Sequence, residues 1–324
     1  MNNFSYVNAT SFKEATAALG SSWDDAVVLA GGTDLLGLMK DYVMSPKRLV
    51  NIKGIKELGG IGKSGSGLRI GATVTFDELA GNAMVKQMYP SIAQAAMGVT
   101  SPQIRNMGTV GGDLCQRPRC WYFRLGHGLT AMQDGKSLVS GGENKYHAIF
   151  PSGNAMYVSA SSLGPALIAL GASVKLVSAS KSREVEASKF FVASQSNQTR
   201  EIALEPGEIL TEIVIPAAGK NATYEVRQKD ALDWPLASAS VSLTMKGNQV
   251  QSAKIVLGHV GPTPVLAQEA ASSLTGKTIS EDSALAAGSL AIQGARPLSQ
   301  NAYKLQLTRI AVKRALMEAA GIKA

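Results

Sequence analysis

The 324-residue chain has two cysteines, Cys115 and Cys120, and three histidines, His127, His147 and His259. Two thiols exclude a disulfide framework. Imidazoles this few and this scattered do not supply the four ligands of a structural zinc site. Long apolar runs are missing too. The longest weakly polar stretch, residues 163–174, is broken by Gly, Pro and Ser and ends at Lys175, which is too short to span a bilayer. Residues 1–10 lack a basic segment followed by an apolar core, so no secretory signal is read there and the expected location is the cytoplasm. Nor is charge of one sign clustered. Thirty-two Lys and Arg against 24 Asp and Glu leave a net +8, yet no basic helix or basic-aromatic stripe appears, and nucleic acid is not an expected partner. A diffuse positive field suits an anionic cofactor or an acidic protein surface.

What is present is a large apolar fraction, 45%, with 17% charged residues, enough for a sizeable core spread over two domains or one domain with a second lobe. The first half alternates strand-like stretches (4–7, 26–29, 48–52, 68–72) with helix-like ones. Capping-box patterns stand at Ser11 with Glu14 and at Thr75 with Glu78, the first opening a helix through Leu19. That alternation predicts an α/β domain. Residues 100–157 are dense in glycine, proline and arginine and read as a long functional loop. A buried helix at 165–170 and strands at 173–177 and 209–216 follow. Residues 216–221 look like a linker. Beyond it, 236–245 and 253–260 read as a hairpin joined through 246–249, and Tyr303, Leu307, Ile310 and Ala311 share a helix face.

Three glycine patterns fail their context. Gly60, Gly62 and Gly65 fit G-x-G-x-x-G, but the next element reads as a strand, so the run is a turn between strands rather than a dinucleotide fingerprint. Gly62-Lys63-Ser64 and Gly276-Lys277-Thr278 end like P-loops. Glu57 and Ala271, however, stand where the leading glycine belongs.

Two other loops carry chemistry. Ala30-Gly31-Gly32-Thr33-Asp34-Leu35 runs from a strand into a helix N-terminus, where free N–H groups favour an anion such as a pyrophosphate. Thr33 adds a hydroxyl, and Asp34 either caps the helix or accepts from a ligand hydroxyl. A plain glycine turn with an N-cap explains this loop, taken alone, equally well. The second loop, residues 100–114, offers Ser101, Asn106, Gly108, Thr109, Gly111, Gly112 and Asp113. A glycine-rich surface loop is its bland explanation. Two such loops in one α/β chain point to a dinucleotide held by non-Rossmann means.

Ala-Gly-Gly-Thr-Asp-Leu-Leu at 30–36, followed by Ile-Arg-Asn-Met-Gly-Thr-Val-Gly-Gly-Asp-Leu at 104–114, resembles the FAD-binding (medium) subunit of the xanthine dehydrogenase, aldehyde oxidoreductase and carbon monoxide dehydrogenase family of molybdenum hydroxylases. The resemblance extends over nearly the whole chain, including the strand at 209–216 and the run His259-Val260-Gly261-Pro262-Thr263-Pro264. It implies an α+β fold: a two-lobed α/β FAD-binding domain of the vanillyl-alcohol-oxidase (PCMH) type over 1–218, with lobes of about 1–57 and 58–218, and a small α+β domain over 219–324. It further implies that Gly31, Gly32, Thr33 and Asp34 grip the FAD pyrophosphate with Ala30 and Leu35 beside it. Ser101, Gly108, Thr109, Gly112 and Asp113 would line the other side, near the phosphates and ribityl chain.

The chain departs from the family pattern in places. Asp113 replaces the usual Asn and loses the amide donor. Ser161-Ser162 replaces a Ser-Asp pair whose Asp helps hold the flavin, so Ser162 brings a hydroxyl and no charge. Lys229 and Trp234 fall where relatives bring basic or aromatic groups towards the isoalloxazine; for Trp234, simple domain packing is the competing explanation. Some relatives carry a [4Fe–4S] cluster in the loop after Cys120, which takes four thiolates. This chain has no cysteine beyond Cys120, so no such cluster is expected here. Cys115 and Cys120 are expected to be buried thiols, with a redox-active pair as the sharper alternative. Arg117, Arg119 and Arg124 are placed to meet the flavin phosphates or an acidic partner.

By the same resemblance the chain relays electrons. A large subunit with molybdopterin would oxidise an aldehyde or N-heterocycle, and a small subunit with [2Fe–2S] clusters would pass the electrons to FAD, which would hand them to NAD⁺, a quinone or oxygen. No catalytic residue is expected in this chain. Other readings stand beside this one: a free-standing FAD-dependent oxidoreductase, an enolpyruvyl-sugar reductase of the same flavin fold, or a flavin-free binding module. A periplasmic location through co-export with a signal-bearing partner is the alternative to the cytoplasm.

Overall fold

A computed structural model describes residues 1–323 of the chain. It begins with a three-stranded parallel sheet in the order Ser5–Asn8, Arg48–Asn51, Val27–Leu29. Parallel neighbours require crossovers. The first runs through the helix Phe12–Ala18, which Ser11 caps by accepting from the Glu14 N–H at 3.3 Å. The expected capping box closes one residue early here: the Glu14 carboxylate takes the N–H and hydroxyl of Thr10 instead of the Ser11 N–H. At Thr75 and Glu78 both reciprocal bonds form as predicted. This lobe closes on Ala9, Ala15, Ala26, Val50, Ile52, Ile55 and Leu58.

A five-stranded antiparallel sheet follows, ordered Ile61–Ser64, Gly67–Gly71, Ile209–Ile215, Ser173–Val177, Ser182–Glu186. The G-x-G-x-x-G run is mostly the first of these strands rather than a turn. Only Gly65, at φ 57°, and Ser66 reverse the chain before it pairs with Gly67–Gly71. The buried helix Leu163–Ala169 packs into the core of this second lobe.

Residues 100–157 are less irregular than their composition predicts. They hold the short helices Pro102–Met107, Val110–Cys115, Trp121–Arg124 and Leu138–Gly141. Three of these start at a hydroxyl cap, from Ser101, Thr109 and Ser137. A cap satisfies N–H groups that the first helical turn leaves free, and it sustains helices too short to register as a periodic pattern.

The C-terminal part is a four-stranded antiparallel sheet, Lys220–Val226, Ala237–Lys246, Gln249–Gly258, Val265–Leu266, covered by the helix Tyr303–Ala320, on which the helix Glu281–Ala291 packs. The predicted hairpin is present, with Gly247 and Asn248 as its two-residue turn. Its outer neighbour starts at Lys220, so the linker is shorter than its composition implied. The last helix buries Lys304, Thr308, Ala311, Val312 and Ala315; of the predicted face Ala311 is buried, while Tyr303, Leu307 and Ile310 are half-buried beside it. The reason is Lys304. Its Nζ is buried and donates to the carbonyls of Tyr146 (3.0 Å) and His259 (2.9 Å), tying the loop before Phe150 to the C-terminal sheet. Burial pulls its pKa down to about 7. Among the described residues no helix is long and apolar enough to cross a membrane.

His259 is buried beside this lysine in the left-handed region, at φ 60°. Burial, reinforced by Lys304 and Arg227, pushes its pKa down from 6.5 to about 3. The unfolded imidazole therefore binds a proton first as pH falls. The stability that depends on a neutral His259 is complete above pH 6.5 and lost on the way down to about 3. Asn tolerates left-handed backbone and does not titrate. Relative to His259→Asn, the wild type is thus expected to lose about 2–3 kcal/mol between pH 7 and pH 4.5. Urea denaturation of both proteins across that range measures the gap; one that does not change with pH contradicts the assignment.

Candidate functional site

The two glycine loops meet. A Cβ on Gly31 would stand 2.1 Å from the Met107 carbonyl oxygen and 3.0 Å from the Gly108 Cα. The backbones of the first and second loops therefore touch at a point only glycine permits. Gly32 follows at φ 73°, a conformation that turns the strand Val27–Leu29 into the helix Leu35–Lys40. On the other side, Gly111 packs against Ala72, where a Cβ would lie 2.9 Å from the Ala72 Cβ. The N-termini of Leu35–Lys40 and Val110–Cys115 thus arrive at one place from different lobes.

That place is a cavity of about 410 Å³, within the range of cofactor sites. Ala30, Gly31, Gly32, Thr33, Asp34 and Leu35 line it from the first loop. Ser101, Gly108, Thr109, Gly112 and Asp113 line it from the second, and Ser162 and Trp234 complete the predicted set. Lys229 does not join them. It is exposed, with its N–H turned to Asp233. Trp234 is 42% exposed and stacks on Arg119, whose Cζ lies 4.5 Å from its ring centroid, so it faces the cavity instead of packing between domains.

Several predicted side chains are occupied within the chain. Ser101 accepts from the Ile104 N–H, and Thr109 from the Gly112 N–H. Each hydroxyl is a helix cap that still lines the cavity. Asp34 makes no cap bond. Its carboxylate accepts from the Arg117 N–H (2.8 Å) and from Arg124 Nη2 (2.8 Å), and it pairs with Arg119 at 3.2 Å. The arginine-rich stretch therefore spends much of its charge on Asp34 and, through Arg117, on Glu201. Its role is to dock residues 117–124 beside the first glycine loop.

Asp113 is buried. Its carboxylate accepts from Ser161 Oγ (2.5 Å), the Ser162 N–H (3.2 Å), the Leu163 N–H (3.0 Å) and Gln116 Nε2 (2.9 Å). It thus satisfies the open N-terminus of Leu163–Ala169, where Ser162 makes no cap bond of its own. Burial outweighs these bonds and pushes its pKa up to about 6. The negative charge absent at residue 162 is supplied at that helix end from residue 113.

Both thiols are neutral at ordinary pH. Burial pushes Cys115, in the cavity wall, up to about 12 and also raises Cys120. The Cys120 Sγ lies 3.1 Å from His147 Nε2, and neither cysteine is in a disulfide. Trp23 and Arg200 also line the cavity. They stand 177 positions apart, and nothing in the local sequence marks either one.

The first part of the chain, residues 2–218, matches a family model described as the FAD binding domain in molybdopterin dehydrogenase, and residues 222–319 match the CO dehydrogenase flavoprotein C-terminal domain. The chain is 32% identical to the carbon monoxide dehydrogenase medium chain of Hydrogenophaga pseudoflava over 97% of its own length and 96% of the relative's. It is 28% identical to the aldehyde oxidoreductase FAD-binding subunit of Escherichia coli, over 91% of each chain. Among solved structures, quinoline 2-oxidoreductase from Pseudomonas putida 86 superposes with a TM-score of 0.77 at 26% identity, covering 99% of this chain and 98% of the other.

Proposed function

Because this chain belongs to the family of FAD-binding subunits of the molybdopterin dehydrogenases, we propose that it relays electrons through FAD, from [2Fe–2S] clusters on a small partner subunit to an external acceptor, while a molybdopterin-bearing large subunit oxidises an aldehyde or an N-heterocycle. The observation that carries this reading is the contact of the two glycine loops over one cavity, where Gly31 meets the Met107 carbonyl.

The residues present fit FAD. A diphosphate needs clustered N–H donors at close range, and the Gly31–Thr33 and Gly108–Gly112 backbones offer them with no side chain in the way. When bound, the flavin supplies exchange of electrons singly or in pairs. The chain's own part is to bind it, orient it and leave one edge accessible. Buried Val27, Ile52, Ile209 and Leu210 close one part of the wall, and exposed Trp234 and Leu232 border the opening. Among the described residues no cluster of His, Cys, Asp or Glu suits a metal ion. Pairing this chain with metal-bearing partners is the division of labour the proposal assigns.

Native purification through a tag on this chain tests it. Two further subunits, stoichiometric FAD, molybdenum and iron are expected, with the iron leaving when the small subunit is removed. A yellow chain that purifies alone and turns over NADH without partners would replace the relay with a free-standing oxidoreductase. A colourless chain that takes up no FAD would leave only the binding-module reading.

A further inference from the structure

The cavity wall carries two tryptophan–arginine stacks of nearly equal geometry. Arg119 lies over Trp234, and Arg200 lies over Trp23, its Cζ 4.4 Å from the ring centroid. The proposal above uses only the first. In the second, Arg200 makes one hydrogen bond, from Nη2 to the Cys115 carbonyl at 3.2 Å, and its Nε is buried without a partner. A guanidinium donor left unpaired in the wall of a ligand cavity is costly unless the ligand supplies an acceptor. Trp23 follows the first helix, and the same cavity wall holds Val28, Ile52 and Leu204, apolar side chains suited to the face of a planar ring.

We infer that Trp23 and Arg200 form the subsite for the adenine ring of the dinucleotide, Trp23 and the guanidinium plane giving stacking surface and the free Arg200 N–H groups meeting ring nitrogens. This rests on the FAD reading and adds to it which end of the molecule goes where. The redox-active ring has to offer an edge to other proteins, and the wall around Trp234 and Leu232 is exposed. Trp23 and Arg200 are only partly exposed, unlike Trp234 and Leu232, so they suit the half of FAD that exchanges no electrons. A subsite for adenine alone makes the chain discriminate FAD from FMN, which carries the same flavin and a phosphate but no adenosine.

The test is equilibrium titration of the flavin-stripped full chain with FAD and with FMN, followed by flavin fluorescence, for wild type, Trp23→Ala, Trp23→Phe and Arg200→Leu. Base–aromatic and cation–π stacking are each worth enough that Trp23→Ala and Arg200→Leu should weaken FAD roughly ten-fold. FMN affinity should stay at the wild-type value, which also shows that the variants fold, and Trp23→Phe should keep most of the FAD affinity. ADP as a competitor should lose potency in the same two variants. Equal losses for FAD and FMN would place these residues on the flavin half or the shared phosphate and overturn the inference. So would Trp23→Ala and Arg200→Leu variants that keep the FAD affinity of a wild type that binds it. A wild type that binds no FAD defeats the functional reading itself.

Discussion

Gly31→Val is expected to abolish FAD retention while the C-terminal sheet still folds. The new Cβ would fall 2.1 Å from the Met107 carbonyl oxygen and 2.8 Å from its carbon. Both are backbone atoms, so no rotamer change removes the overlap, and the glycine loops have to separate by about an ångström or more to reach ordinary contact. In the proposed site, donors from two lobes converge on a single diphosphate, so a separation of that size misaligns one set whenever the other is engaged. A loss of affinity of about 100-fold or more follows, at a few kcal/mol for several charge-assisted hydrogen bonds. Gly32→Val should act in the same direction for a different reason, since a β-branched residue at φ 73° is strained before it touches anything. Gly37→Ala is the control. It lies inside the helix Leu35–Lys40 with nothing within 4 Å of its Cβ position, so it should keep its flavin and gain about 0.5–1 kcal/mol of stability. Flavin content of the purified proteins and their thermal unfolding decide the matter. A Gly31→Val protein with full flavin and unchanged unfolding would refute the convergence of the loops on the cofactor.

Asp113→Ala should be the most destabilising single change near the site that touches no glycine. The carboxylate serves four donors, two of them the Ser162 and Leu163 N–H groups at the start of a buried helix. Alanine leaves all four donors without this acceptor, at a cost of about 3–5 kcal/mol. Asp113→Asn keeps one acceptor oxygen and should fall between alanine and the wild type near neutral pH. The wild type and Asp113→Asn also separate by pH, because only the carboxyl titrates. The Asp113 pKa is raised by burial from 3.8 to about 6, so the unfolded chain releases this proton first. The wild type then loses stability relative to Asp113→Asn as pH rises from about 4 through 6, and the difference levels off above that. Chemical denaturation at pH 4.5, 6 and 7.5 would expose the trend; a wild-type advantage over Asp113→Asn that shrinks towards acid would show that the carboxylate is stabilised in its charged form.

The legible and illegible parts of the site divide by distance along the chain. Gly31-Gly32-Thr33 and the Gly108–Gly112 run announce themselves because a backbone that must turn left-handed or approach another backbone is written in adjacent residues. The same holds for the Thr75–Glu78 capping box and for the hairpin turn at Gly247 and Asn248. Each is settled by forces acting within a few positions. Asp34 reads on that logic as a helix cap or an acceptor for a ligand hydroxyl, and Asp113 as an acceptor that has lost an amide donor. The cap is absent at Asp34, and no local reading includes the donors that these carboxylates meet, which come from 83 to 90 positions away for Asp34 and mainly from 48 to 50 for Asp113.

By itself, then, the sequence determined the kind of ligand, through two backbone surfaces cleared of side chains, and the family, through their order and spacing. Tertiary structure alone decided that the two surfaces touch at Gly31 and Met107, that Asp34 pairs with arginines and Asp113 with the start of a buried helix, and that Trp23 meets Arg200. Such pairings depend on desolvation and packing between segments far apart in the chain, and no local pattern of residues records which distant group will be buried against which.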